Sequence, residues 1–396
     1  MTITQTAGEL YPELAGYQRR LILGGALGLV ISLVEFLFKP TQFYQSYLMA
    51  YMFCLGITLG GLALGMVHQL SGGAWGIVIR RPIGAATRLL PLMTVLFLPV
   101  VIGMNNLYPW THASVVAGDE LLQWKRAYLN VPFFLLRAAI YFGAWNAISY
   151  WLNKWAVEQD RTADPQVARK MQKISAAGLV VYGLTITFAS FDWLMSLEPR
   201  WYSTIYGVLI MGGQGLSAIA FLIGVLVWLS RRPPLDSVIG KAHFHDLGNL
   251  MLAFVMLWAY FGFSQYLIIW AGNLPQEFAW YTHRLQTGWR FIGIALIVFH
   301  FAIPFVLLLS RTMKREAGLI VQVAIGILFV RLLDLFWLIA PEFHTGGVAV
   351  SWVDVVLPIS LGALWLGNFI SQLRRRTILP AHDPEFEEAL GRVALT

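Results

Sequence analysis

The chain has 396 residues, of which 58% are hydrophobic and 12% charged, about half the charged share of an average soluble domain. With a mean hydropathy of +0.64, this composition excludes a water-soluble enzyme, a disordered chain and a nucleic-acid-binding protein. The formal charge of +7 therefore bears on membrane sidedness rather than on a polyanionic partner. The single cysteine, Cys54, excludes an internal disulfide, a Cys-ligated iron–sulfur cluster and a Cys-x-x-Cys-His haem attachment.

After a polar segment over 1–20, the first apolar run covers 21–38. Glu9 and Glu13 precede Arg19 and Arg20, Glu35 interrupts the run, and no small-x-small site follows, so it reads as a membrane span and not as a cleavable signal. Nine further runs lie near 43–70, 86–108, 130–151, 173–197, 202–229, 246–270, 288–310, 317–340 and 350–371. Each is long enough to cross a hydrocarbon core, and backbone polar groups in lipid require helices. The longest links, 105–130 and 152–172, hold at most a short helix, and 372–396 form a tail. The expected fold is an all-α polytopic membrane domain over 21–371. Of the 28 Lys and Arg, 20 fall on the two ends and the even-numbered loops, which predicts that both termini are cytoplasmic.

The spans repeat. Phe43-Tyr44-Gln45-Ser46 opens the second and Trp201-Tyr202-Ser203-Thr204 the sixth, and each span is followed by Arg-Arg-Pro, at Arg80 and Arg231. Gly178-Leu179-Val180-Val181 in the fifth matches Gly318-Leu319-Ile320-Val321 in the ninth. Asp192 and Asp334 each stand seven residues before an exit proline, Pro199 and Pro341. Helices 2–5 (43–197) and 6–9 (202–340) thus read as two parallel-repeat four-helix bundles, with helices 1 and 10 beside them.

Ionisable residues inside spans are costly and are functional candidates. Asp192 and Asp334 lie about 10 Å below the outer surface at 1.5 Å per residue, and Arg137 lies at a similar depth. Glu35, Gln265 and Asp354 also belong to the outer half, as polar-pairing or quinone-vicinity candidates. Arg331 and Asp334 are three apart on one helix and pair; Arg137 and Asp192, on neighbouring spans, form a second pair. Either pair serves to register the helices or to pass protons. His300 is near mid-depth, away from His68 at the inner end, so the two do not ligate one haem; His300 reads as hydrogen-bonded or proton-relaying. His245 and Asp246 open the seventh span, as a helix cap or a proton-uptake point. Gly24, Gly25, Gly28, Gly56, Gly60, Gly61 and Gly65 signal close helix packing. Pro91, Pro99, Pro132 and Pro304 start or kink helices. Tyr108, Trp110, Trp193, Trp201, Tyr202, Trp280, Tyr281 and Trp289 read as interfacial anchors.

Phe191-Asp192-Trp193-Leu194-Met195-Ser196-Leu197-Glu198-Pro199, His245-Asp246-Leu247-Gly248-Asn249, Trp258-Ala259-Tyr260, Phe263-Ser264-Gln265-Tyr266, Gly272-Asn273-Leu274-Pro275 and Arg331-Leu332-Leu333-Asp334 carry a resemblance over nearly the whole chain. It resembles the ActF-type membrane subunit of bacterial alternative complex III, within the NrfD/PsrC-like superfamily. The resemblance implies a ten-helix subunit of a quinol:electron-acceptor oxidoreductase in the bacterial inner membrane, not catalytic alone. It implies a sister NrfD-like membrane subunit, an iron–sulfur subunit and c-type haem subunits as partners, along with lipids and quinone. Menaquinone or menaquinol is the ligand the chain would meet, and haem c and iron–sulfur clusters would reside in partner subunits, with no metal held here. Carried onto this sequence, the motif positions are Asp192, His245, Asp246, Gln265, Arg331 and Asp334. Asp192, His245, Asp246, Arg331 and Asp334, together with His300, are the expected proton-transfer residues, while Gln265 stays with Glu35, Arg137 and Asp354 as a polar-pairing or quinone-vicinity candidate. A secondary transporter and a purely structural scaffold are the alternatives; the transporter would require a broken helix pair near the midplane.

Overall fold

The computed structural model describes residues 5–162 and 164–377. Among them, ten helices are long and apolar enough to cross a membrane: Leu14–Phe38, Pro40–Ser71, Arg80–Ile102, Val131–Thr162, Pro165–Leu197, Tyr206–Leu229, Lys241–Gly272, Trp289–Leu309, Ala317–Glu342 and Val353–Arg374, here spans 1 to 10. An isolated bridge joins Thr6 to Thr377, and the Ala7 N–H donates to the Arg376 carbonyl at 2.9 Å. Both described ends therefore lie on one face of the bundle, the terminal face. Of the expected tail over 372–396, residues 372–374 continue span 10 and 375–377 follow it, while the rest, like residues 1–4, lies outside the described residues.

Spans 4 and 5 outrun the expectation. Span 4 continues to Thr162 and span 5 begins at Pro165, where the Asp164 carboxylate accepts from the Gln166 N–H at 2.8 Å. A capping aspartate followed by proline starts a helix at that point. The expected link over 152–172 is thus two helix ends meeting. Span 4, with 32 residues, is about 48 Å long against about 30 Å of hydrocarbon, so part of it projects from the membrane. Arg81 pairs with Asp160 at 2.5 Å and Arg80 donates to Gln159 at 2.7 Å, fastening that projection to the start of span 3.

The packing has internal symmetry. Within 2–5, span 2 packs on 3 and 5, and span 4 on 3 and 5; within 6–9, span 6 packs on 7 and 9, and span 8 on 7 and 9. Between the repeats span 2 meets 6 and 9, while span 6 meets 2 and 5. Exchanging one repeat for the other maps these contacts onto themselves, as expected for a parallel repeat about an axis along the membrane normal. Spans 2 and 6 are 78% and 72% buried, against 17% for spans 1 and 7, so the axis runs between them. A Cβ on Gly60 would collide with the Gln214 carbonyl of span 6; here glycine permits the approach. Spans 1 and 10 pack together on one flank, span 10 against spans 2 and 3. Gly25 and Gly28 admit span 10 at Ser360, whereas Gly24 faces open space.

Two spans are broken. Span 3 runs as Arg80–Thr87, Leu90–Val95 and Leu98–Ile102, with Pro91 and Pro99 inside the first turns of the later pieces. Span 8 has a π-helical segment, Ile297–Ala302. Pro304 lacks the N–H that would bond residue 300, and its ring crowds that carbonyl, so the helix widens just before it. Spans 7 and 4, the counterparts of 3 and 8, are continuous; the breaks do not form an equivalent pair.

The aromatic expectation is corrected. Tyr108, Trp110, Trp193, Trp201, Trp280, Tyr281 and Trp289 are buried, and Tyr202 alone of that set is exposed. Trp201 stacks on Trp280 at 4.7 Å between centroids, and Trp193 meets Phe97 at 4.7 Å. The loop segments fold back over the bundle end opposite the termini, so these rings form a packed lid instead of an interfacial belt. Exposed Trp124, Tyr150, Trp151, Tyr260 and Trp270 have the accessibility that interfacial anchors need.

Candidate functional site

The polar residues inside the spans form two main centres, one per repeat. In the first, Asp192 of span 5 is fully buried. Arg137 of span 4 binds it through two bonds, Nε to Oδ2 at 2.9 Å and Nη2 to Oδ1 at 2.8 Å. The Tyr141 hydroxyl donates to Oδ2 at 2.8 Å. Arg137 also donates to the Tyr128 carbonyl at 3.0 Å, and its guanidinium lies 3.8 Å from the Tyr128 ring centroid and 4.3 Å from that of Phe133. The carboxylate has donors on both oxygens, and a forked Arg–Asp geometry of this kind is strongly directional. The Arg137–Asp192 pair expected from depth is present.

The second centre is built differently. Arg331 pairs with Asp334 across one helical turn of span 9, as expected, and Trp258 Nε1 of span 7 donates to Asp334 at 3.1 Å. Both donors converge on Oδ2; among the described residues Oδ1 receives none. The Arg331 guanidinium rests where a side chain on Gly213 of span 6 would stand, so glycine makes room for the cation. His300 packs on Trp258 at 4.1 Å between ring centroids. It is fully buried, and neither ring nitrogen has a hydrogen-bond partner among the described residues. The expectation that His300 is hydrogen-bonded is thereby corrected. Its ring lies in the π-helical segment, where the bulge set by Pro304 interrupts the regular helix; such bulges recur at functional sites.

The other candidates separate by location. Gln265 is buried, accepting from Ser203 Oγ at 3.0 Å and donating to the Tyr281 hydroxyl at 3.1 Å. Asp354 accepts from Ser46 Oγ at 2.5 Å, Gln42 Nε2 at 3.1 Å and the Ser351 N–H at 2.8 Å. Glu35 accepts from Trp352 Nε1 at 2.9 Å. These contacts join spans 1, 2 and 10 and do not reach either centre. His245 and Asp246 do not cap span 7. The helix begins at Lys241, and the His243 Nδ1 accepts from the Gly240 N–H at 3.2 Å. The cap reading is corrected because the helix starts earlier than the apolar run does. His245 Nδ1 is 3.8 Å from Asp246 and 3.3 Å from Asn249 Nδ2, while Lys314 donates to Asn249 Oδ1 at 2.6 Å. This is a polar group at the terminal face. His68 bonds the Gly73 carbonyl at 3.0 Å at the end of span 2, a local contact.

Sequence reasoning missed a third cluster, above the second centre on the face opposite the termini. Asn273, in the left-handed region at φ 46°, ends span 7 and Pro275 starts a helix over Pro275–Gln286. That helix carries Arg284, which is fully buried. Arg284 binds Glu342 at 2.7 Å and the carbonyls of Trp280, Trp337 and Leu338 at 3.2, 3.4 and 3.3 Å, and its guanidinium lies 3.6 Å from the Trp280 ring centroid. A cation at those carbonyls complements the C-terminal end of span 9. Glu198 lies within electrostatic reach of Glu342; burial and the Glu342 charge push its pKa up to about 7, against a smaller pull from Arg284. The available signal was the pairing of Glu198-Pro199 with Pro341-Glu342 at equivalent exits. Arg284 itself sits in a polar stretch that gives no sign of burial.

Comparison of the chain with protein-family models and with curated proteins gives no match.

Proposed function

We propose that this protein is a membrane subunit of a quinol-oxidising electron-transfer complex, and that its second repeat carries protons. The ActF-type, NrfD-like resemblance supports the complex, with a sister membrane subunit, an iron–sulfur subunit and c-type haem subunits as partners and menaquinol as the reductant. The bacterial inner membrane with cytoplasmic termini follows from that resemblance and from the basic residues on the ends and even loops. One observation carries the proton role: the Asp334 carboxylate has an oxygen without a donor, and Trp258, which bonds its other oxygen, packs on a buried imidazole with two unpartnered nitrogens.

An indole N–H does not relay protons, so Trp258 orients Asp334, and proton passage between Asp334 and His300 would run through a water that enters transiently. A buried water needs two or more polar partners, and these groups supply them. Arg331 keeps the carboxylate from being an isolated buried charge. Protons would be taken up at the terminal face by way of His245 and Asp246, pass His300 and Asp334, and leave by Glu198 and Glu342. Glu198, whose pKa is held above the ordinary carboxylate range by burial and the Glu342 charge, suits an exit group, since transfer is fastest when donor and medium are matched. The Asp192 centre, with both oxygens occupied, serves as a structural lock.

The test is Asp334→Asn in the assembled complex. Quinol turnover or proton release should fall while subunit composition stays normal. Unchanged turnover and proton release in a normally assembled complex would refute the reading in favour of a scaffold, and substrate uptake by proteoliposomes of the chain alone would favour a transporter.

A further inference from the structure

A cavity of about 670 Å³ opens on the flank of the bundle between spans 3 and 4, at the terminal face. Its lining includes Arg88, Lys154, Arg161 and Arg376, with Glu158 as the one carboxylate and Asn153 deeper in. Four cations facing one carboxylate around a membrane-flank groove is an unusual arrangement for a chain with 12% charged residues. Arg88, Arg161 and Arg376 form no ion pair among the described residues, although Asp160 stands nearby on Arg81. Lys154 lies over the Trp151 ring, 4.8 Å from its centroid.

The depth profile says what kind of anion fits. Arg161 ends span 4, Arg376 lies two residues past span 10, and Arg88 lies eight residues into span 3, about 12 Å below its start. The cations therefore run from beyond the headgroup level into the membrane edge, along the side of the protein that lipid covers. Tyr150 and Trp151 on the same stretch of span 4 are exposed at 60% and 40%, the position of rings that lie at the headgroup layer. On either side of them in span 4 the amides are already satisfied by protein: Asn153 Nδ2, toward the terminal face, bonds Thr87 Oγ1 at 3.0 Å, and Asn146 Nδ2, deeper, bonds Thr94 Oγ1 at 3.0 Å. The unpaired character of the groove is thus cationic and runs from Arg376 at the terminal face down to Arg88. Burial, Arg81 and Arg161 hold the Arg376 pKa below the ordinary guanidinium value against an opposing pull from Asp160, as expected where cations outnumber the nearby carboxylates.

We infer that this groove binds the phosphodiester headgroup of an anionic phospholipid, with Arg88 and Arg376 as the principal phosphate contacts and the acyl chains lying along spans 3 and 4. Basic pockets between transmembrane helices suit such headgroups, and guanidinium groups suit phosphate oxygens. The inference does not depend on the proton-transfer reading.

The experiment reconstitutes the full chain in phosphatidylcholine nanodiscs doped with phosphatidylglycerol, releases it into mild detergent and counts retained lipid by native mass spectrometry. The unmodified chain should retain phosphatidylglycerol over phosphatidylcholine. Arg88→Gln with Arg376→Gln should lower that retention about thirtyfold, from the typical contribution of each basic residue near anionic lipid, and Arg88→Lys with Arg376→Lys should largely restore it. Should the glutamine variant fail to fold, Lys154→Gln with Arg161→Gln, at the projecting end of span 4, should lower retention in the same direction. Equal retention of both lipids by the unmodified chain, or retention untouched by these variants, overturns the inference. Displacement by inorganic phosphate alone would reassign the groove to a soluble anion. Retention that arises only after truncation at Thr377 would reassign it to the acidic stretch Asp383, Glu385, Glu387 and Glu388, which lies outside the described residues.

Discussion

Asp192 and Asp334 stand at equivalent places in the two repeats, each on the last span of its bundle and each seven residues before an exit proline. Their surroundings differ. Asp192 draws its arginine from the neighbouring span and has donors on both oxygens. Asp334 draws its arginine from its own helix and has donors on one oxygen only. An interhelical pair fixes the distance between two spans, while an intrahelical pair leaves the neighbouring span free to present another group. In the second repeat that group is His300, on a helix widened by Pro304. A duplicated fold has thus kept the carboxylate position while saturating one copy and leaving an oxygen of the other without a donor.

The contrast can be broken at the arginine. Arg137→Ala leaves Asp192 buried without its cation and should destabilise the chain by about 3–5 kcal/mol, read as loss of folded protein in detergent or of assembly. Activity per assembled complex should change little. Asp334→Asn should do the reverse, lowering turnover or proton release on the order of a hundredfold, the scale of a lost proton-transfer group, with assembly intact. A variant that instead fails to assemble would place Asp334 with Asp192 as a structural residue.

His300→Leu sharpens the same division. A buried imidazole with two unpartnered nitrogens contributes no hydrogen bond to the fold, so its removal should leave thermal stability unchanged or raise it by about 1 kcal/mol. Proton transfer should be impaired as for Asp334→Asn. A clear fall in melting temperature would show that the imidazole has a structural partner.

The smallest effect concerns Glu198. Its pKa, raised from an ordinary value of 4.5 to about 7, means that the folded state binds more protons than the unfolded state between those values. Stability therefore falls as pH rises from about 4.5 through about 7. Glu198→Gln should flatten that slope, making the melting temperatures of variant and parent converge at low pH and the variant the more stable above pH 7. Parallel profiles would sever the Glu198–Glu342 coupling.

Much of the fold was legible in the sequence, since lipid demands long apolar helices and the repeats left matching landmarks at Arg80 and Arg231, and at Pro199 and Pro341. Both arginine–aspartate pairs were legible, Arg331–Asp334 because residues three apart share a helix face and Arg137–Asp192 because depth follows from residue count. Helix ends were harder to read. Span 7 starts at Lys241, span 4 reaches Thr162, and neither end coincides with the end of its apolar run, because a helix continues past the hydrocarbon wherever polar residues can still bond water or neighbours. The lid of Trp110, Trp201 and Trp280 read as an interfacial belt, since a ring near a span end has the same sequence signature whether lipid or a folded loop covers it.

The sequence by itself determined the number of spans, their parallel repetition and the few charges sunk within them, all consequences of local composition under the solvation rules of a bilayer. The tertiary structure alone decided which of those charges are saturated. Arg284 becomes buried only when Pro275–Gln286 folds onto the end of span 9, and His300 is left without partners only by what spans 7 and 9 place around it. Saturation depends on groups far apart in the chain, and their distances are fixed by packing between helices.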